Sequence, residues 1–198
     1  MTPPLRAPLH PVEGAGNRFV LVDLLDVRDP GAFDGAVKTA RAEVDALTRV
    51  EGGSPADGLL LVGPARGADD PCANLVVVNR DGSRPEMCGN GLRCAAVHVA
   101  RRTGARRGEM ATDAGPRAFE VLTDDGASAR VRVTMGAARA LGEVDAAAAP
   151  GRTFHRVDVG NPHAVCVVGA EEDPSELARR LGPGVERDAA FAPEGVNV

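Results

Sequence analysis

Between Leu75 and Arg102 the chain passes from a strand pattern through a tight turn into a helical pattern. This succession constrains the fold more than any other stretch. Leu75–Val78 is a short apolar run, as in a strand covered on both faces. Asn79-Arg80-Asp81-Gly82-Ser83 follows, with the Asp-Gly pair of a turn. Four residues later comes Cys88-Gly89-Asn90-Gly91-Leu92-Arg93. From Gly89 to about Arg102, Leu92, Ala95, Ala96 and Val99 recur at spacings of three and four, which predicts a helix. Cys94 and Val97 widen its apolar face, so the helix should be enclosed, and Gly104 is a natural stop. Cys88 therefore stands at or beside the N-cap.

That position matters chemically. The free N–H groups of a first helical turn attract negative charge and favour a thiolate over a thiol. The N–H groups of Gly89, Asn90 and Gly91 can also receive a carboxylate, and glycine on both sides of Asn90 lets a ligand approach the backbone. A thiolate beside a carboxylate socket can remove a proton next to that carboxylate. The alternative is a small buried packing residue, the common fate of a free cysteine. Cys94 and His98, four apart on one helix face, offer a metal site as another alternative. Cys88 is six positions from Cys94, ~600° around the helix at ~100° per residue, so the two point apart. With no Cys-x-x-Cys pair anywhere, no metal is expected. Cys94 and Cys166 lie in apolar runs and read as core, and Cys72 is uninformative.

Around this centre, residues 1–15 read as a loose lead-in and Phe19–Val22 as a strand opening at Asn17. Asp34 can cap a helix running to about Val50, which Gly52-Gly53-Ser54-Pro55 would end. Leu59–Val62 reads as a further strand. Phe119–Leu122 and Val131–Met135 flank Asp125-Gly126 as a hairpin, and Val131, Val133 and Met135 alternate with polar neighbours. Gly142–Gly151 reads as a linker. Strands at Phe154–Val159 and Ala164–Val168 then surround Gly160-Asn161-Pro162-His163, and Asp173 or Ser175 starts a helix to about Leu181.

The net charge of -5 excludes attraction to phosphate backbones, and five Phe with no Trp or Tyr leave few rings to stack on bases. Arg101, Arg102, Arg106 and Arg107 therefore read as a solvated helix end, so no nucleic acid is expected as a partner. No apolar run approaches the ~20 residues of a membrane span, and Met1–Arg6 lacks the regions of a signal peptide. A cytoplasmic protein with reduced thiols and no membrane partner is the expectation.

Asn-x-Asp-Gly-Ser, four residues, then Cys-Gly-Asn-Gly-x-Arg resembles the signature of the diaminopimelate epimerase family. Other segments agree in the same order: Gly14-Ala15-Gly16-Asn17, Ala56-Asp57-Gly58-Leu59-Leu60, Met135-Gly136, Gly160-Asn161-Pro162-His163 and Gly195-Val196-Asn197. The resemblance runs from about Gly14 to the last residue. It implies an α/β (α+β) fold of two similar lobes, each a mixed, mostly antiparallel sheet around a central helix, with the site in the cleft between them. The first lobe would be residues 1–140 and the second, incomplete, 141–198. It further implies a cofactor-independent isomerase that converts LL-diaminopimelate to meso-diaminopimelate for lysine and peptidoglycan synthesis. Two cysteines on opposite faces of the α-carbon would take and return the proton. Carried residue by residue, Cys88 resembles the first catalytic cysteine and His163 a histidine held near the reacting centre. Gly89 and Asn90 resemble the carboxylate cradle, and Asn17, Asn79, Asn161 and Asn197 the substrate-binding asparagines. A small-molecule amino-acid substrate and a homodimer are implied as partners.

Three departures accompany the resemblance. Arg18 stands where relatives carry an acidic residue, and Gly58 stands near a position where many have glutamine. Past the Gly-Val-Asn segment relatives also continue to a Glu-Arg pair and a second Cys-Gly-x-Gly turn, and neither follows Asn197 here. The expectation is therefore the N-terminal part of such an epimerase. Alternatives are a non-catalytic remnant that retains the carboxylate socket, or a related two-cysteine amino-acid racemase.

Overall fold

The computed structural model describes residues 7–49, 54–65, 72–193 and 195–198. They divide into two units with the boundary between Thr134 and Met135. The first unit is a seven-stranded sheet whose spatial order follows the sequence: β1 (Leu9–Gly14), β2 (Asn17–Asp23), β3 (Gly58–Pro64), β4 (Ala73–Asn79), β5 (Arg107–Ala111), β6 (Arg117–Asp124) and β7 (Ala129–Val133). The β2–β3 and β4–β5 pairs are parallel and the other four antiparallel. Helices α1 (Pro30–Ala42), α2 (Val44–Leu47) and α3 (Gly89–Thr103) complete the unit.

The apolar runs of the central strands have a simple cause. Phe19, Leu21, Leu60, Val62, Leu75 and Val77 pack into the cluster around α3. Their odd-even neighbours Val20, Val22, Leu59, Leu61, Val76 and Val78 pack with α1 residues Phe33, Val37 and Ala40 on the other face. With both faces covered, no alternation is left to read in the sequence. Helix α3 touches β1, β2, β3, β4, β6 and β7, so the sheet curls around it from one edge strand to the other. Its inward residues Leu92, Ala95, Ala96 and Val99 are fully buried. Burial of a side chain such as Leu92 or Val99 stabilises by roughly 1.5–3 kcal/mol.

Several expectations are corrected here. The lead-in holds strand β1, because Ala15 (φ 48°) and Gly16 (φ 89°) make a two-residue hairpin turn with both residues left-handed. Helix α1 starts at Asp29, not Asp34. The Asp29 carboxylate accepts from the N–H groups of Gly31 (3.1 Å) and Ala32 (3.2 Å), and Pro30 occupies the first turn, where no N–H is needed. The helix breaks at Glu43, and α2 ends at Leu47. Gly52 and Gly53, expected to end it, lie outside the described residues. Strand β5 has no apolar run to announce it; its pairing with β6 creates it. Arg101 and Arg102 stand at the solvated end of α3, as expected: Arg101 pairs with Asp124 at 2.6 Å, and Arg102 with Asp23 at 3.0 Å and Asp26 at 2.7 Å.

The second unit is an antiparallel sheet of β8 (Arg139–Asp145), β9 (Thr153–Asp158) and β10 (Pro162–Val165), with helix α4 (Pro174–Val185). Asp173 caps α4, accepting from Ser175 N at 2.8 Å and Glu176 N at 3.2 Å. The expected linker Gly142–Gly151 is instead the end of β8 and a turn whose Ala146 and Ala149 are buried. They belong to an apolar cluster with Val185, Phe154 and Phe191, the two rings edge-on with centroids 6.3 Å apart. The expected strand Ala164–Val168 stops at Val165. No helix of the described residues is long and apolar enough to cross a membrane.

Candidate active site

Cys88 is the N-cap of α3, with extended backbone (φ -138°, ψ 113°). Its Sγ accepts from Gly91 N at 3.4 Å, and its carbonyl receives the first helical bond, from Leu92 N at 2.8 Å. Met87 and Leu92, both buried, stand at the flanking positions where apolar residues pin a helix entrance. The entrance is held against its surroundings by missing side chains. A Cβ on Gly91 would lie 2.6 Å from Leu60 Cδ2. One on Gly14 would lie 2.8 Å from Asn90 O and 2.8 Å from Cys94 Sγ. Strand β1 thus lies directly on the first turn of the helix.

The Gly89 and Asn90 N–H groups, at the first two positions of α3, have no carbonyl four residues back within the helix. They sit at its positive end beside the half-buried thiol. The side chains around them form a chain of hydrogen bonds. Asp57 accepts from Asn17 Nδ2 at 3.1 Å and from Arg18 N at 2.9 Å. Asn17 Oδ1 accepts from Asn90 Nδ2 at 2.6 Å, and Asn90 Oδ1 accepts from the Arg93 guanidinium. Because Asp57 can only accept, it fixes which way the Asn17 amide faces, and Asn17 then fixes Asn90. The Asn17 bond, followed by the Arg18 N–H, holds the Asp57 carboxyl below the usual carboxylate range. From the sequence Asp57 is only a member of the Ala56–Leu60 motif, with no role of its own. The signal available was a carboxylate next to the glycine that opens a strand.

Asn79 lies at the same end of the sheet, since Gly58 pairs with both Phe19 and Asn79. Its Nδ2 donates to Ser83 Oγ at 2.9 Å, inside a turn that Asp81 braces by accepting from Ser83 N at 2.8 Å. A side chain at Gly58 itself has no room: a Cβ there would lie 2.3 Å from Val78 O. Arg18 contributes its backbone N–H to Asp57.

In the second unit the structure brings together Asn161, His163 and Asn197. His163 Nδ1 lies 3.1 Å from Asn161 O, and Asn197 Nδ2 donates to Pro162 O at 3.0 Å. Asn197 also bridges His163 in parallel register through backbone bonds. Cys166 is partly buried, packs on the Phe154 cluster and follows β10 rather than opening a helix. Cys94 is buried among the α3 contacts, as expected, and burial pushes its thiol up to about 11. Cys72 is exposed and donates to Glu109 O at 3.0 Å.

The chain has relatives among known proteins. The family profile described as Diaminopimelate epimerase matches residues 12–141. A diaminopimelate epimerase of Desulforudis audaxviator is 36% identical, over 94% of this chain and 68% of its own length. One of Mycobacterium tuberculosis is 38% identical, over 93% and 67%. The chain thus spans about two thirds of the length of these relatives. Among solved structures, a hydroxyproline epimerase of Agrobacterium vitis superimposes with a TM-score of 0.59 at 15% identity, covering 90% of this chain and 53% of that one. A probable proline racemase of Agrobacterium radiobacter gives 0.58 at 16%, covering 90% and 54%. These two establish the fold alone, the α/β architecture expected from the sequence. The profile match and the sequence relatives go further: the chain belongs to the diaminopimelate epimerase family of isomerases.

Proposed function

We propose that the chain carries the first catalytic thiol of an enzyme that inverts the α-carbon of LL-diaminopimelate to give the meso form, a step in making lysine and peptidoglycan precursors. The observation that carries this reading is Cys88 at the entrance of α3, with the Gly89 and Asn90 N–H groups beside it. The substrate α-carboxylate docks on those N–H groups, and the thiolate removes the adjacent α-proton. An amino-acid α-proton is weakly acidic, so the donors that hold the carboxylate also stabilise the negative charge that develops next to it. Return of a proton to the other face completes inversion; deuterium taken back from the same thiol gives exchange with retention. By the family resemblance, Asn17, Asn79, Asn161, His163 and Asn197 are assigned to the substrate.

The test supplies LL-diaminopimelate to the protein in deuterated water and follows the α-hydrogens by NMR. Deuterium appearing at one α-carbon supports the reading, and none above the protein-free rate rejects it.

Asp57 acts in this scheme as a positioning residue. Asp57→Ala frees Asn17 and Asn90 to rotate without touching the thiol. The expected result is a fall of about tenfold in kcat/KM for exchange, within what small misplacements cause. Recovery in Asp57→Glu but not in Asp57→Asn, at unchanged Tm, separates orientation from a general loss of structure.

A further inference from the structure

Away from Cys88, a groove of about 710 Å³ runs along α3 between β1 and the β6–β7 turn, lined by His10, Glu13, Arg93, His98 and Arg101 among others. Beside it, side chains from three elements converge. In the β1–β2 register His10 lies opposite Leu21, so Asp23, two residues on, shares its face. That face is the one α3 covers, since Leu21 packs with Leu92 and Ala95. His98 lies on α3, and its ring is 5.0 Å from that of His10, centroid to centroid. One ligand atom from each of His10, Asp23 and His98 falls within 4.8 Å of the other two.

The contact between His98 and Asp23 is not an ordinary hydrogen bond. His98 Nε2 is buried and lies 3.0 Å from Asp23 Oδ2, without the alignment of a well-formed hydrogen bond. The two atoms are close but not aligned with each other. This is the relation of two ligands on one ion: with bonds of ~2.0–2.1 Å, ligand atoms stand ~3.0–3.4 Å apart. We propose that His10, Asp23 and His98 form a binding site for a divalent transition-metal ion of the zinc and cobalt class, which ties edge strand β1 to α3. Two imidazoles with one carboxylate suit such ions, whereas calcium and magnesium take oxygen ligands. The groove leaves a fourth position to water.

The surroundings fit this use. Asp23 Oδ1 accepts from Leu25 N at 3.0 Å, which orients the carboxylate from behind. Cys94, one turn earlier, is a buried thiol and not a ligand. Arg102 is the competing cation: its Nε lies 3.0 Å from Asp23 Oδ2, while Asp26 offers it a second anchor at 2.7 Å. An arriving metal ion displaces Arg102 toward Asp26.

The experiment titrates the whole chain with Co²⁺ at about neutral pH, where free histidine is largely unprotonated, and records the visible spectrum. One bound Co²⁺ with d–d bands and no thiolate-to-cobalt charge transfer is expected. His10→Ala should weaken binding by at least about tenfold, and Arg102→Ala should tighten it by removing the competitor. No binding by the unmodified chain, equal binding by His10→Ala, weaker binding by Arg102→Ala, or a thiolate charge-transfer band would each overturn the proposal.

Discussion

Replacing Cys88 with serine is expected to bring deuterium incorporation at the α-carbon of diaminopimelate down to background while the protein remains folded. Serine keeps an acceptor at the N-cap, where Cys88 Sγ now faces Gly91 N at 3.4 Å. The cap is therefore retained and Tm should hold. What is lost is the thiol itself, since a hydroxyl is intrinsically a far weaker acid than a thiol and does not serve as the base. A positioned base contributes about 10²–10⁴-fold to such a step, so the loss should be at least of that order. Cys88→Ala should behave alike in exchange while also giving up the cap contact. Normal exchange in either variant would remove Cys88 from the mechanism and leave the carboxylate socket as a binding site.

Leu92→Ala is expected to destabilise the first unit by about 3 kcal/mol, in the range for leucine truncated in a tight core. Leu92 is fully buried on α3, in the cluster it forms with Leu60, Leu75 and Val77. Leu60 is packed tightly against the helix entrance, where a Cβ on Gly91 would come within 2.6 Å of it, so filling the space left by Leu92 requires the surroundings to shift. Urea denaturation monitored by far-UV circular dichroism gives the difference directly. A control at the exposed end of the same helix, Arg101→Ala, removes a surface ion pair and should cost no more than about 1 kcal/mol. If the two variants lost similar stability, α3 would not be the centre of the core.

The legible parts of this chain share one property: their cause lies within a few residues. Cys88 caps α3 because extended backbone, a glycine-rich first turn and a 3.6-residue apolar period follow one another directly. Asp173 was readable as a cap for the same reason. The illegible parts have distant causes. Strand β5, with the sequence Arg-Gly-Glu-Met-Ala, has no strand pattern; β6 supplies its partners from across a turn. Strand β8 was hidden by glycine and alanine, and it exists through its ladder with β9, bent where the register shifts near Gly142. Asp29 rather than Asp34 caps α1 because Pro30 suits the first helical turn, itself a local signal.

The functional residues divide along the same line. Sequence alone determined the family resemblance, the thiol at a helix entrance and the glycines beside it, since these are properties of consecutive residues. Only the tertiary structure decided that Asp57 orients Asn17, that Asn17 orients Asn90, and that Gly58 excludes a side chain against the carbonyl of Val78. It alone also gathered His10, Asp23 and His98 from β1, β2 and α3. Hydrogen-bond direction and ligand distance are set by strand register and by helix-on-sheet packing, which join residues tens of positions apart. A local pattern can announce a reactive group, but the partners that aim it are chosen by the fold.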